Sequence, residues 1–315
     1  MDKDILFTEG LKQYLLRDRE KECREWIDEV YASLSGLSEK WEICDITPFQ
    51  RSRYGLVLDA PGTKYGDAVI KLIPPFLNRY ERELEAMSLL PGSTEGGYMC
   101  ALYDHDGESH ALLLEKVRNA SFGTFDKTER LKNFYALVFS KAKKVSEAGE
   151  IKYLPDYHEE LIKKQQTLPG VPYMKEEAEK ALREATELFE EVFSSAEKYV
   201  IHRDLHQYNL LDDGERFYGV DPVGNRAPVE FECVRYMRND MRDHPEEGYL
   251  KRFETLMEVF GRYADPKKIA AAFIIDGGFH VVSSTYENAL PTETLFTLDI
   301  MEAAKEFMNG SHIAF

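Results

Sequence analysis

Two short runs of this sequence concentrate side chains suited to chemistry. Residues 201–209 read Ile-His-Arg-Asp-Leu-His-Gln-Tyr-Asn, and residues 221–224 read Asp-Pro-Val-Gly. Asp204 supplies a carboxylate able to orient an attacking hydroxyl and receive its proton. Asn209 and Asp221 supply a neutral and an anionic oxygen, the hard donors that magnesium prefers. A proton acceptor and two metal ligands are most of what moving a phosphoryl group from ATP to a hydroxyl requires, the remaining part being a cation on the donor's oxygens. The spacing has a geometric basis. Leu210-Leu211 and Phe217-Tyr218-Gly219-Val220 flank Asp212-Asp213-Gly214, a tight-turn signal, so the chain is expected to double back as a hairpin with Asn209 and Asp221 at the same end.

The missing cation has a candidate upstream. Lys71 is the only basic residue in Asp67-Ala68-Val69-Ile70-Lys71-Leu72-Ile73, a strand-like segment where a charge among apolar neighbours wants an anionic partner. At about 100° per residue, Glu83 lies nearest the apolar stripe of Leu77, Tyr80, Leu84 and Met87 on the helix that follows, and it is the expected partner of Lys71. The competing reading has Lys71 snorkelling from a sheet edge. Ala111–Val117 forms an apolar strand whose end, around the backbone of Glu115 and Val117, offers a place for an adenine ring. His202, two residues before the base, is expected to prop the loop rather than titrate. His206 faces either substrate or solvent, and with Asp240 it is a candidate contributor to the acceptor pocket.

Elements that must position these groups can be read from periodicity. Trp26, Ile27, Val30, Tyr31, Leu34 and Leu37 recur at helical steps, while 41–47, 54–59 and 67–73 have strand texture, separated by turn-like Ala60-Pro61-Gly62-Thr63 and Tyr65-Gly66-Asp67. A helix after Pro74-Pro75 and strands at 98–103 and 110–115 complete an expected five-stranded antiparallel sheet with one inserted helix. From about Arg118 the chain turns mostly helical, most clearly over 176–198, with a loop at 164–175. The reading is therefore α+β, with a nucleotide-binding lobe at 1–116 led by helices, and a helical catalytic and substrate-binding lobe at 117–315.

The 315 residues carry 43% hydrophobic side chains and a formal net charge of -17, enough apolar content for a sizeable core and the wrong sign for nucleic acid or anionic membranes. A cationic acceptor would be attracted. Cys23, Cys44, Cys100 and Cys233 show no paired spacing, so free thiols in a reducing, cytoplasmic setting are expected. No apolar stretch is long enough to span a bilayer. Oligomeric state is not legible.

With these residues placed, the chain resembles the aminoglycoside phosphotransferase and protein-kinase-like group, and within it the streptomycin 6-phosphotransferase and hydroxyurea-resistance kinase family. Trp26-Ile27 and Leu34 through Trp41 look like that family's first helix and its ending, and Ala68-Val69-Ile70-Lys71 with Arg82-Glu83 like its ATP-contacting strand and helix. The most specific stretch is Gly219-Val220-Asp221-Pro222 through Glu232 to Arg238-Asn239. The resemblance implies a bilobal kinase-like fold, an ATP- and magnesium-dependent O-phosphotransferase, and a small hydroxylated acceptor such as an aminoglycoside, with antibiotic resistance the associated role. It implies Asp204 as base, Asn209 and Asp221 on magnesium, Lys71 on phosphate, and Glu232 as a carboxylate bracing the loop. Two departures stand out: residues 48–55, in the place of the phosphate-covering loop, are poor in glycine, and Arg203 stands where antibiotic kinases more often have glycine.

A protein kinase is disfavoured, because few residues separate Gly224 from the helix expected near Pro228 and Tyr236 is the only hydroxyl residue between Asp221 and Asn239. A sugar or amino-alcohol kinase remains an alternative. So does a catalytically silent nucleotide-binding module, which the full set Lys71, Asp204, Asn209 and Asp221 argues against.

Overall fold

The computed structural model describes residues 19–49, 55–118, 120–122, 128–167, 175–286 and 291–310, and the chain divides into two units, Met1–Asn119 and Ala120–Phe315. In the first, α1 (Glu20–Trp41) buries Trp26, Val30, Leu37 and Trp41 along one face. Strands β1 (Thr47–Pro48), β2 (Leu56–Thr63) and β3 (Gly66–Leu72) follow, then α2 (Tyr80–Leu89), β4 (Leu102–Asp106) and β5 (Ala111–Glu115). All neighbours pair antiparallel in the order β1-β2-β3-β5-β4. Side chains alternate along a strand, so Ala68, Ile70 and Leu72 join Leu56, Leu58 and the α1 residues in one core while Lys71 projects to the other face.

The second unit begins with β6 (Ser121–Phe122), α3 (Thr128–Ser140), β7 (Lys143–Lys144), α4 (Tyr157–Thr167) and α5 (Lys175–Phe193). It continues with β8 (Tyr199–Ile201), β9 (Leu210–Asp212), β10 (Phe217–Gly219) and β11 (Asn225–Ala227), and ends in α6 (Phe231–Asp243), α7 (Tyr249–Phe260), α8 (Pro266–Tyr286) and α9 (Pro291–Gly310). The strands form two small antiparallel sheets, β10-β9-β6 and β11-β8-β7. Helix α8 buries Ile269, Ala272, Phe273, Ile275, Val281 and Val282, residues that face every side of it, as expected of a central helix. A Cβ on its Gly278 would sit 2.6 Å from the Ala181 carbonyl oxygen and from the Ala185 Cβ, so glycine sets how closely α8 approaches α5. None of the described helices is long and apolar enough to cross a membrane.

Several expected boundaries move. Residues 41–47 are not a strand: α1 continues to Trp41, which adds one more turn to the buried stripe and donates its indole N–H to Asp104 Oδ2 at 3.0 Å, and only Thr47–Pro48 pair with β2. Ala60–Thr63 is not a turn but the end of β2. The register slips there, and a bulge accommodates Pro61 and lets Gly62 take φ of 72°. The turn lies at Lys64-Tyr65. Leu77 sits in a separate 3-10 turn, Pro75–Leu77, because Asn78 turns left-handed before α2 starts. The strand expected at 98–103 lies at 102–106, α5 stops at Phe193, and α4 extends through 164–167. Residues 168–174 of the expected loop lie outside the described residues.

Candidate active site

Residues 202–209 link β8 to β9 and are held by hydrogen bonds from both backbone and side chains. The His202 N–H donates to Glu232 Oε1 at 2.7 Å, and its carbonyl accepts from the Val223 and Gly224 N–H groups. Its ring accepts from the Asp204 N–H at Nδ1, so the proton sits on Nε2 and is donated to the Val220 carbonyl at 2.9 Å. Burial pushes this imidazole down to about 4, so it is a neutral prop between loop and returning strand. Glu232, on the first turn of α6, also accepts from the Arg203 N–H through Oε2.

Hairpin pairing explains how distant side chains meet. Gly219 pairs with Leu210, and the Val220 N–H donates to the Asn209 carbonyl at 3.0 Å, which puts Asn209 and Asp221 at one end of the β9–β10 hairpin. The Asn209 amide donates through Nδ2 to the Asp204 carbonyl at 2.9 Å and to Oδ2 at 3.3 Å, turning its own oxygen away from that carboxylate. Asp221 is exposed, with φ of 57°. On its other side Asp204 accepts from Arg235 Nε at 2.8 Å through Oδ1, and His206 Nε2 stands 3.6 Å from Oδ2. Burial would raise the Asp204 carboxyl, but His206 and Arg235 outweigh it and hold it below the usual carboxylate range, so a charged acceptor stands ready.

Arg203 does not reach outward. It has φ of 74°, a left-handed conformation that costs a non-glycine residue roughly 1–2 kcal/mol. Glycine would adopt it freely. Here the strain is offset by a buried network. Arg203 Nη1 lies 2.5 Å from Asp276 Oδ1, the Tyr157 hydroxyl donates to the same oxygen at 3.0 Å, and Arg238 Nη1 is 3.6 Å from Oδ2. The guanidinium also lies 4.5 Å from the Tyr157 ring centroid and 5.1 Å from that of Phe279. Burial pushes the Asp276 carboxyl up, but Arg203 above all keeps it below its ordinary value. The loop is thus moored to α8.

In the first unit, Lys71 Nζ lies 2.5 Å from Glu83 Oε1, with both residues about 5% exposed. The Glu115 carboxylate is committed within its own unit, accepting from the Ala101 N–H at 2.9 Å and from Ser93 Oγ, while its N–H donates to the Ala101 carbonyl. Val117 lies two positions past the end of β5 and is buried. Of the glycine-poor loop, residues 50–54 lie outside the described residues.

Asp240, the other expected contributor to the acceptor pocket, is 3% exposed and clamped by Arg252, Nε to Oδ1 at 2.6 Å and Nη2 to Oδ2 at 3.0 Å, so it joins α6 to α7. Two residues at the site escaped the sequence reading. Arg235 sits one turn after Glu232 on the same side of α6, a spacing that was available. Asp276 is the only charge in Ile269-Ala-Ala-Ala-Phe-Ile-Ile-Asp-Gly-Gly-Phe279, and a lone carboxylate in such a helix signals a buried partner.

No protein-family model matches the sequence, and no curated protein is significantly similar to it. Solved structures do match. A choline/ethanolamine kinase family protein from Mesorhizobium loti aligns with a TM-score of 0.63 at 14% identity, covering 91% of this chain and 96% of that one. The choline kinase LicA from Streptococcus pneumoniae gives 0.60 at 14% identity, covering 89% and 98%. A thermostable mutant of an aminoglycoside phosphotransferase in ternary complex with ADP and hygromycin B gives 0.56 at 9% identity, covering 89% and 99%. The chain therefore has the kinase-like fold of the choline kinases and aminoglycoside phosphotransferases.

Proposed function

We propose that this protein is an ATP- and magnesium-dependent phosphotransferase that phosphorylates a hydroxyl of a small molecule, with aminoglycosides such as streptomycin, sugars and amino alcohols as the acceptor classes to test. The observation that carries this reading is the convergence of Asp204, Asn209 and Asp221 at one end of the β9–β10 hairpin, on a loop fixed by Glu232 and His202. Structures sharing the fold were crystallised with AMP, ADP and AMP-PNP, which supports a nucleotide as donor.

The donor set fits magnesium. Asn209 Oδ1 remains after Nδ2 is committed to Asp204, and Asp221 adds a carboxylate. Among the described residues no three His, Cys, Asp or Glu form a metal cluster, and magnesium typically takes one or two protein oxygens with phosphates and water filling the rest. Bound there, it would neutralise charge on the nucleotide phosphates. Asp204 accepts the proton of the acceptor hydroxyl, and Lys71, steadied by Glu83, is assigned to the donor phosphates by chemistry and burial. Arg203, Glu232 and His202 keep the base in place.

The test is mass-spectrometric detection of phosphorylated product with Mg·ATP across aminoglycosides, sugars and amino alcohols, in the native chain and in Asp204→Asn. Loss of a base of this kind is expected to lower kcat by about 10²–10⁴-fold while Mg·ATP affinity is retained. Nucleotide binding without product from any acceptor would instead support a silent module.

A further inference from the structure

Asp204 has a companion cation with unused capacity. Arg235 Nε holds Asp204 Oδ1 at 2.8 Å, the two side chains are 29% and 27% exposed, and among the described residues Arg235 makes no other hydrogen bond or ion pair. Arg235 adds to the positive field that holds the Asp276 and Glu293 carboxyls below their ordinary values, but it hydrogen-bonds neither: Asp276 pairs with Arg203 and Arg238, and Glu293 with Arg242 and His280. The Nη groups of Arg235 are therefore uncommitted donors beside the base, on a guanidinium whose orientation the carboxylate already fixes.

Their position is set by the reaction. A hydroxyl served by Asp204 lies about 2.6–3.2 Å from a carboxylate oxygen. The phosphorus it attacks lies about 3–3.5 Å further on. Oxygens on that phosphorus fall within reach of a guanidinium anchored to the other oxygen of the same carboxylate. We propose that Arg235 is a catalytic residue, its Nε fixing Asp204 and its Nη groups binding oxygens of the phosphoryl group in transfer; this rests on the kinase reading above. In the step, the acceptor oxygen bonds to the γ-phosphorus, the bond from that phosphorus to the β–γ bridging oxygen breaks, and ADP leaves with the electron pair. The hydroxyl proton passes to Asp204. As the carboxylate loses its charge, the charge of Arg235 is no longer cancelled, at the moment phosphoryl oxygens need it.

The experiment is titration calorimetry on the full chain with Mg·ADP alone and with Mg·ADP plus fluoroaluminate, a planar phosphoryl mimic, alongside kcat. In the native protein fluoroaluminate should tighten Mg·ADP by at least about 10²-fold, as transition-state mimics do. Arg235→Ala should keep Mg·ADP affinity and thermal midpoint, lose the tightening, and lower kcat by about 10²–10³-fold. Arg235→Lys should restore part of both. Retained tightening and kcat in Arg235→Ala, equal loss of Mg·ADP affinity itself, or native turnover with no tightening would each overturn the proposal while leaving the kinase reading intact. A native chain that binds no Mg·nucleotide overturns that reading, and the role of Arg235 falls with it.

Discussion

Single side chains set the chemistry here mainly by what holds them. His202 is the clearest case, since each polar atom of its backbone and ring has a partner and burial keeps it uncharged. Its folded value is depressed from 6.5 to about 4, so the unfolded chain takes up a proton first as pH falls. The stability it contributes is complete above pH 6.5 and is lost as pH falls from there toward 4, in total roughly 3 kcal/mol. Urea unfolding at pH 7 and pH 5 should show the native chain losing about 2 kcal/mol more than His202→Gln over that interval. Equal losses would mean that the ring is charged in the fold. The same logic explains why Asp204 can be half-buried and still ionised: a guanidinium and an imidazole oppose the effect of burial.

Elements decide whether such residues meet. The α1 stripe and the apolar face of α5 were legible because helical periodicity over many residues is a strong signal. The β9–β10 hairpin was legible because two apolar runs flank a turn signal, and it carries Asn209 and Asp221 together. Trp41 and Ala60–Thr63 were misread because aromatic and Pro-Gly preferences are local, whereas burial of Trp41 against Asp104 and a bulge at Pro61 are set by tertiary packing. Pairs such as Arg235–Asp204 and Arg203–Asp276, 31 and 73 residues apart, depend on how helices pack and leave only a lone buried charge in the sequence as a trace. Asp276→Asn should strand two buried arginines and cost about 3–5 kcal/mol in unfolding free energy. Combining it with Arg203→Gly, which also relieves the left-handed strain, should recover part of that loss. Urea midpoints for the two single variants and the double variant decide it; strict additivity would show that the pair is not coupled.

At the level of the whole molecule, the Lys71–Glu83 pair lies in the first unit, and Asp204, Asn209 and Asp221 lie in the second. A formal charge of -17 surrounds them with a field that draws cations. If the acceptor is a cationic aminoglycoside, raising NaCl from about 0.05 to 0.5 M should increase its KM severalfold with little change in kcat, since screening shortens the reach of that field. A neutral sugar acceptor should show a flat KM. Steady-state kinetics over a salt series separates them, and a salt-independent KM for a cationic acceptor would remove bulk charge as a recruiting force.

The mooring of Arg203 to Asp276 also bears on how this loop can be inherited or engineered. Residues 199–224 transplanted into a related scaffold would bring Asp204, Asn209 and Asp221 but leave the anchor of Arg203 behind on α8, with an arginine in a glycine-like conformation and no counter-charge. The loop, α6 and α8 thus form a single module, to be exchanged together or not at all.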